Sequence, residues 1–167
     1  MVKGKNVLGG RKGGMPQMVL EYILKANNID PASDLSIDQS VDFGLTAGAF
    51  SGNTEYDFTV EFEPGATSLE KEGKGYVVAS LGVDSGYVPY TAYSAKKSYI
   101  EKNPEIIKDF TSAIQKGLDY VNSHSSAEIA KVIAPQFEDT DIDTITTIVE
   151  RYKSQDTWKK DLSLIHI

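Results

Sequence analysis

Asn6-Val7-Leu8-Gly9-Gly10-Arg11-Lys12-Gly13-Gly14-Met15-Pro16 is the stretch on which the fold turns. A short run of strand character enters a glycine-rich turn. Pro16 then stands where its missing N–H costs nothing, in the first turn of a helix. Met15, Met18, Val19, Tyr22, Ile23 and Ala26 recur at helical spacing until Asn27-Asn28 ends the run. The alternation continues downstream. Leu35-Ser36-Ile37 reads as a second strand, and Phe43, Leu45, Ala47, Ala49 and Phe50 as a short helix closed by Ser51-Gly52-Asn53. Phe58 to Phe62 reads as a third strand, stopped at Pro64, which cannot donate to a ladder. Glu70 to Gly75 reads as a polar turn and Tyr76 to Leu81 as a further strand. Short apolar runs alternating with helical patterns predict an α/β domain with a largely parallel sheet.

From Asn103 the pattern is helical only. Asn103-Pro104-Glu105 has the marks of a helix start: a capping Asn, a Pro at the first position and an acid in the first turn. Ile106, Ile107, Phe110, Ile114, Leu118 and Val121 then trace one apolar face. Ser125-Ser126-Ala127-Glu128 fits a capping box for a second helix through Ile133, stopped by Pro135. Ile142, Ile145, Ile148, Val149 and Tyr152 mark a third. The chain thus divides into a βα-rich part to about residue 95 and a helical part after it. The tail Asp161 to Ile167 fits neither. It alternates like a terminal strand, but Ser163-Leu164-Ile165-His166-Ile167 also resembles translated sequencing-adapter read-through, and 161–167 is taken as a non-native tail.

Composition narrows the functional classes. With 167 residues, 40% hydrophobic and 25% charged, the chain is long enough to bury about two-thirds of its unfolded surface in an ordinary globular core. No apolar run approaches the roughly 20 residues of a spanning helix. A net charge of −7 and the absence of a basic stripe disfavour nucleic acid and anionic membrane as partners. Cysteine is absent, which removes thiolate nucleophiles, disulfides and Cys-ligated zinc. The opening residues lack the apolar stretch of a secretory signal, which taken alone points to the cytoplasm.

Catalysis is not expected. The two histidines, His124 at a helix end and His166 in the tail, cannot assemble a triad or a metal site, and neither a metal nor a cofactor is expected. Glu61 and Glu63, two apart on a strand, point to one face and could share acid/base work. Glu63, at the carboxyl end of its strand, is better placed for binding. Gly13 and Gly14 before a helix leave backbone N–H groups open to an anionic or strongly polar ligand group; the alternative is a turn needed only for chain reversal. The dinucleotide fingerprint fails on glycine spacing and on the lack of an acid closing a second strand, and no Gly-Lys-Ser/Thr follows for a phosphate loop. Tyr87 and Tyr90, with an apolar face and a polar tip, suit a cleft wall, or else pack at a strand start.

Lys3-Gly4-Lys5-Asn6-Val7, Gly13-Gly14-Met15, Asp57 through Glu63-Pro64, Gly73 and Gly75 before Tyr76-Val77-Val78, Val88 to Tyr93, and Tyr99 to Glu105 occur in a telling order. From Val2 to about Lys160 the chain resembles the periplasmic substrate-binding proteins of ABC transporters in the nitrate, sulfonate and taurine group, which includes thiamine-pyrimidine binders. The resemblance implies a type II periplasmic-binding fold, incomplete here: residues 1–93 as an α/β second lobe with Val88 to Tyr93 as the strand crossing the hinge, and 94–160 as C-terminal helices of the first lobe. It also implies that the opening third of a complete member, with its signal or lipoprotein segment, is missing, so that the full protein would be periplasmic or a cell-surface lipoprotein. The function implied is to bind a small-molecule ligand as a monomer and deliver it to an ABC permease in the membrane. Gly13, Gly14 and Met15 would give backbone and apolar contacts, Glu63 a polar anchor, and Arg11 a charge partner. A zwitterion such as taurine, or a neutral amino-pyrimidine, fits these groups better than nitrate. Two other classes share the fold: the effector domain of LysR-type regulators, and pyrimidine-precursor synthases, which a chain without cysteine or a catalytic histidine matches poorly.

Overall fold

Leu8 has no solvent exposure and Val7 almost none, because the strand that carries them lies between two others. The computed structural model describes residues 2–88 and 90–162. Strand β1 (Asn6–Leu8) is flanked by β2 (Ser36–Asp38) and β3 (Phe58–Thr59), both parallel to it, in the order β2-β1-β3. Register pairs Val7 with Ile37 on one side and with Phe58 on the other. A central parallel strand needs apolar residues throughout, which is why Val7 and Leu8 precede the glycines. Gly9 continues the ladder by donating to the Asp38 carbonyl at 2.9 Å. A Cβ there would stand 2.3 Å from the Ile37 side chain, so only glycine fits.

The chain divides into two compact units, Met1–Tyr90 and Thr91–Ile167. In the first, helix α1 (Met15–Ala26) covers the sheet with Leu20 and Leu24, which join Val7, Leu35, Ile37 and Phe58 in one apolar cluster. A 3₁₀ turn (Phe43–Leu45) leads into α2 (Thr46–Gly52), and α3 (Gly65–Lys71) follows β3. A single turn, α4 (Leu81–Asp84), packs on α1.

Several expectations are corrected here. The third strand ends at Thr59 instead of running to Phe62, and the second is shifted one residue to end on Asp38. That acid does close the second strand, and its carboxylate accepts from Tyr56 and Ser40. The turn expected over Glu70 to Gly75 begins later, since Glu70 and Lys71 still belong to α3 and the chain turns at Glu72-Gly73, where Gly73 N donates to the Glu70 carbonyl at 3.0 Å. Tyr76 to Leu81 is not a strand. Val77 donates its N–H to the Glu70 carboxylate at 2.9 Å, Tyr76 is 77% exposed, and no strand among the described residues lies alongside. Val88 and Tyr90 to Tyr93 likewise join no ladder. β propensity describes fit to a half-buried pleated surface, and without a neighbour it yields no strand.

The second unit is helical: α5 (Lys97–Lys102), α6 (Pro104–Ser123), α7 (Ser126–Ile133) and α8 (Ile142–Ser154). Ser125 and Glu128 form the capping box of α7, and Asp141 caps α8 by accepting from Thr144 N at 2.9 Å. Ile129, Ala130, Ile145 and Val149 make the core between α7 and α8, with Tyr120, Val121 and Trp158 packed against it. Lys153 closes the end of α6 by donating to the Val121 carbonyl at 2.9 Å and to that of His124, where a positive charge meets the negative end of the helix. Gln115 binds the chain's later residues, donating to the Lys160 carbonyl at 2.9 Å and accepting from Leu162 N at 3.1 Å. The rest of the suspected tail, including His166, lies outside the described residues.

Candidate functional site

The segments that leave β1 and β3 flank the point where strand order reverses, between the first strand and the third. In open parallel sheets that is where ligands bind. A cleft of about 260 Å³ lies there, lined by Arg11, Gly14, Met15, Pro16, Asp42, Phe62 and Tyr90. Arg11 to Pro16 follow β1, and Phe62 follows β3. Phe62 and Tyr90 meet edge to face, with ring centroids 5.9 Å apart at 67°, and form an aromatic wall. Burial pushes the Tyr90 phenol up from its ordinary value.

Of the residues singled out in the sequence, Arg11, Gly14, Met15 and Tyr90 are brought together in this cleft. Gly13, Glu63 and Tyr87 are outside its lining, and Tyr87 is 82% exposed. The glycine amides expected to be open are both occupied. Gly13, at φ +79°, donates to Gln17 Oε1 at 2.9 Å, and Gly14 donates to the Arg11 carbonyl at 3.1 Å. Gln17, only 9% exposed, passes the chain of hydrogen bonds on to Glu21. These bonds fix the shape of the turn and leave the Arg11 side chain as its charged group toward the cleft.

Glu61 and Glu63 do not act as a pair. With the strand ending at Thr59, strict alternation lapses and the two carboxylates diverge. Glu63 turns to α3 and accepts from Thr67 N at 3.0 Å, satisfying one of the amides at that helix start. Glu61 turns inward. Its two oxygens accept from Thr59 Oγ1 at 2.8 Å and Thr46 Oγ1 at 3.0 Å, and Gly65 leaves room beside them. Burial raises its pKa above the ordinary carboxylate value, and the two threonine hydroxyls oppose that rise. The Glu61 knot therefore joins β3 to the first residue of α2, immediately before the cleft residue Phe62. Asp42 and Phe62 were missed in the sequence because no local pattern marks them; only the sheet topology brings them beside the glycine turn.

A larger cleft of about 500 Å³ lies along β2 and the later half of α1, among Glu21, Lys25, Asp30, Ile37 and Gln39. Its charges are already engaged. Lys25 pairs with Glu21 at 3.5 Å, and Asp30 accepts from Ala32 N and Ser33 Oγ, which hold its carboxyl below the usual range. Its charged groups serve the fold. Among the described residues there is no group of three or more His, Cys, Asp or Glu able to hold a metal ion, and no helix long and apolar enough to cross a membrane.

Residues 4–134 match the model of the NMT1-like family, more than half of the chain. The chain belongs to the NMT1-like family. It is also 47% identical over 160 residues to the "Putative binding protein YtlA" of Bacillus subtilis (strain 168), covering 96% of this chain and 48% of that protein. The chain spans about half the length of this curated relative. No solved structure matches it. A mixed α/β chain with a small parallel sheet and many helices thus sits in the NMT1-like family beside a relative that carries the name "Putative binding protein".

Proposed function

We propose that this chain is part of an extracytoplasmic solute-binding protein that serves an ABC importer, and that it acts by binding, not by catalysis. The architecture proposed is the type II periplasmic-binding fold, with the first unit as one lobe. The protein would work as a monomer in the periplasm or as a cell-surface lipoprotein, and would hand its ligand to a membrane permease after the lobes close over it. The ligand is small and polar, either sulfonate-like or an amino-pyrimidine.

One observation carries this reading: the cleft of Arg11, Met15, Asp42, Phe62 and Tyr90 stands at the strand-order switch of a parallel sheet, in a chain 47% identical to a protein named for binding. A few charged groups around an aromatic wall are what a small-molecule site requires. The test is an amide-resolved NMR titration of the 167-residue chain with a panel of sulfonates and amino-pyrimidines. Shifts concentrated at Arg11, Met15, Phe62 and Tyr90 are expected. A panel that leaves all four unmoved overturns the proposal.

A further inference from the structure

Glu61 is a half-buried carboxylate without a cation. Among the described residues its side chain has no hydrogen-bond or ion-pair partner besides two hydroxyls, Thr59 Oγ1 at 2.8 Å and Thr46 Oγ1 at 3.0 Å. The elements packed on it, α2 and β3, carry no titratable residue. Helix α3 carries Glu70 and Lys71 in its last turn, Glu63 is turned to Thr67 N, and Arg11 and Asp42 line the cleft. Ionisation of Glu61 is governed by burial and by the two hydroxyls, and by none of these charges. A hydroxyl serves either state of the carboxyl, since it donates to the ionised form and accepts from the neutral one. Burial favours the neutral form.

This carboxyl joins two cleft segments that are remote in sequence. Thr46 ends the 3₁₀ turn whose N-cap is Asp42, and Glu61 directly precedes Phe62, so the bond between them links the stretches that carry both cleft residues. Past Thr59 the strand is over. Val60 N still reaches the Leu8 carbonyl at 2.9 Å, and the Phe62 carbonyl accepts from Ala66 N at 3.1 Å, which ties it to α3. The Glu61 carboxyl ties the same stretch to α2. An ionised carboxylate in this place gains by turning toward water, and that movement works against the tie.

We propose that Glu61 is a proton-operated positioning residue: neutral, it holds the Phe62 stretch to the Asp42–Thr46 turn and sets Phe62 against Tyr90; ionised, it lets the two segments part. The aromatic wall is then closed in acid and looser toward neutrality, and retention of a solute depends on the acidity around the protein. That consequence rests on the cleft being a solute site, as proposed above, whereas the movement of the wall does not.

NMR of the ligand-free 167-residue chain from about pH 4 to pH 7 tests the movement. The Glu61 carboxyl carbon reports its own titration, and cross-relaxation between the Phe62 and Tyr90 rings reports the wall. The ring contact is expected to weaken with the same midpoint as the carboxyl carbon, and Glu61→Gln should abolish the pH response. Thr59→Val removes a hydroxyl that favours the ionised form, so it should move both midpoints together to higher pH. A ring contact that stays constant while Glu61 titrates overturns the proposal, as does a pH response that survives in Glu61→Gln or midpoints that separate in Thr59→Val. For the solute, 2-aminopyrimidine is the probe, titrated at about pH 5 and about pH 7, where it is uncharged. Its affinity should fall at the higher pH, by up to about tenfold for each unit separating the carboxyl's pKa in the closed and parted arrangements. Equal affinity at both pH values, with the cleft amides moving, overturns the link between wall and solute. If the probe moves no cleft amide while the rings respond as expected, that solute fails and the proton-operated wall stands.

Discussion

Thr46 donates its hydroxyl to Glu61 Oε2 across 3.0 Å from a position with no solvent exposure. The bond ties the start of α2 to the residue just before the cleft's Phe62. Thr46→Val keeps the shape and removes the donor, leaving a half-buried carboxylate short of a partner. The expected cost is about 1–3 kcal/mol at neutral pH, measured by urea denaturation. An unchanged midpoint would show that the bond contributes nothing to the fold.

The same carboxylate gives a pH dependence with a definite sign. Burial raises the folded pKa of Glu61 above its unfolded value, so the folded state holds this proton more tightly. The associated stability is present below the unfolded pKa and is lost as pH rises through the folded one. Glu61→Gln removes that loss. The melting temperature of the variant relative to the parent should therefore rise between about pH 4 and pH 7; a difference that stays flat over this range refutes the assignment.

Glu63 is expected to matter for stability more than for ligand choice. Its carboxylate accepts the Thr67 amide at the start of α3. Glu63→Ala should cost about 1 kcal/mol, in the range of lost helix caps, and leave the relative affinities of small ligands unchanged. A changed ligand preference without loss of stability would return Glu63 to the binding site.

Gln17 holds the glycine turn through the Gly13 amide. Gln17→Ala removes the acceptor of that part-buried N–H on an exposed glycine, and loss of such a hydrogen bond costs about 0.5–1.5 kcal/mol. Hydrogen exchange at Gly13 should accelerate severalfold, while exchange at Val7 and Leu8 follows global stability alone. Equal acceleration at all three would mean that Gln17 supports the core and not the turn.

If the first unit is one lobe of a two-lobed site, as proposed, it meets a ligand on one side only, whereas ligand sites commonly bury about 70–90% of it. Calorimetry of the 167-residue chain with taurine or an amino-pyrimidine should therefore give a dissociation constant no tighter than about 1 mM, or roughly −4 kcal/mol. Micromolar affinity would show that this chain alone makes a sufficient site.

What could be read in the sequence was what local chemistry determines. Pro104 and the Ser125-Glu128 box announce the starts of α6 and α7, the box because a cap is made within one turn; Asn103 holds the N-cap position of α6, but its side chain makes no cap and donates to the Tyr99 carbonyl at 2.9 Å. Strand β1 and helix α1 were legible from the glycine turn between them. Helix α3 was not, since it opens at Pro64-Gly65 with no Ser, Thr, Asp or Asn at its cap and takes its carboxylate from Glu63, one residue earlier. Tyr76-Val77-Val78 misleads for the opposite reason: its residues favour a sheet, but a strand also needs a neighbour. The cleft divides in the same way. Arg11, Gly14 and Met15 lie in the turn that the sequence already marks, whereas Asp42 and Phe62 reach it through the order of the strands.

Trp158, the chain's single tryptophan, has its ring 5.7 Å from that of Tyr152 and packs on the α7–α8 core. The cleft residues include a tyrosine but no tryptophan. Selectively excited indole emission is thus a probe of the helical unit's packing. Tyrosine emission and far-ultraviolet dichroism see both units. If the units melt separately, the three optical signals will give different midpoints from one sample.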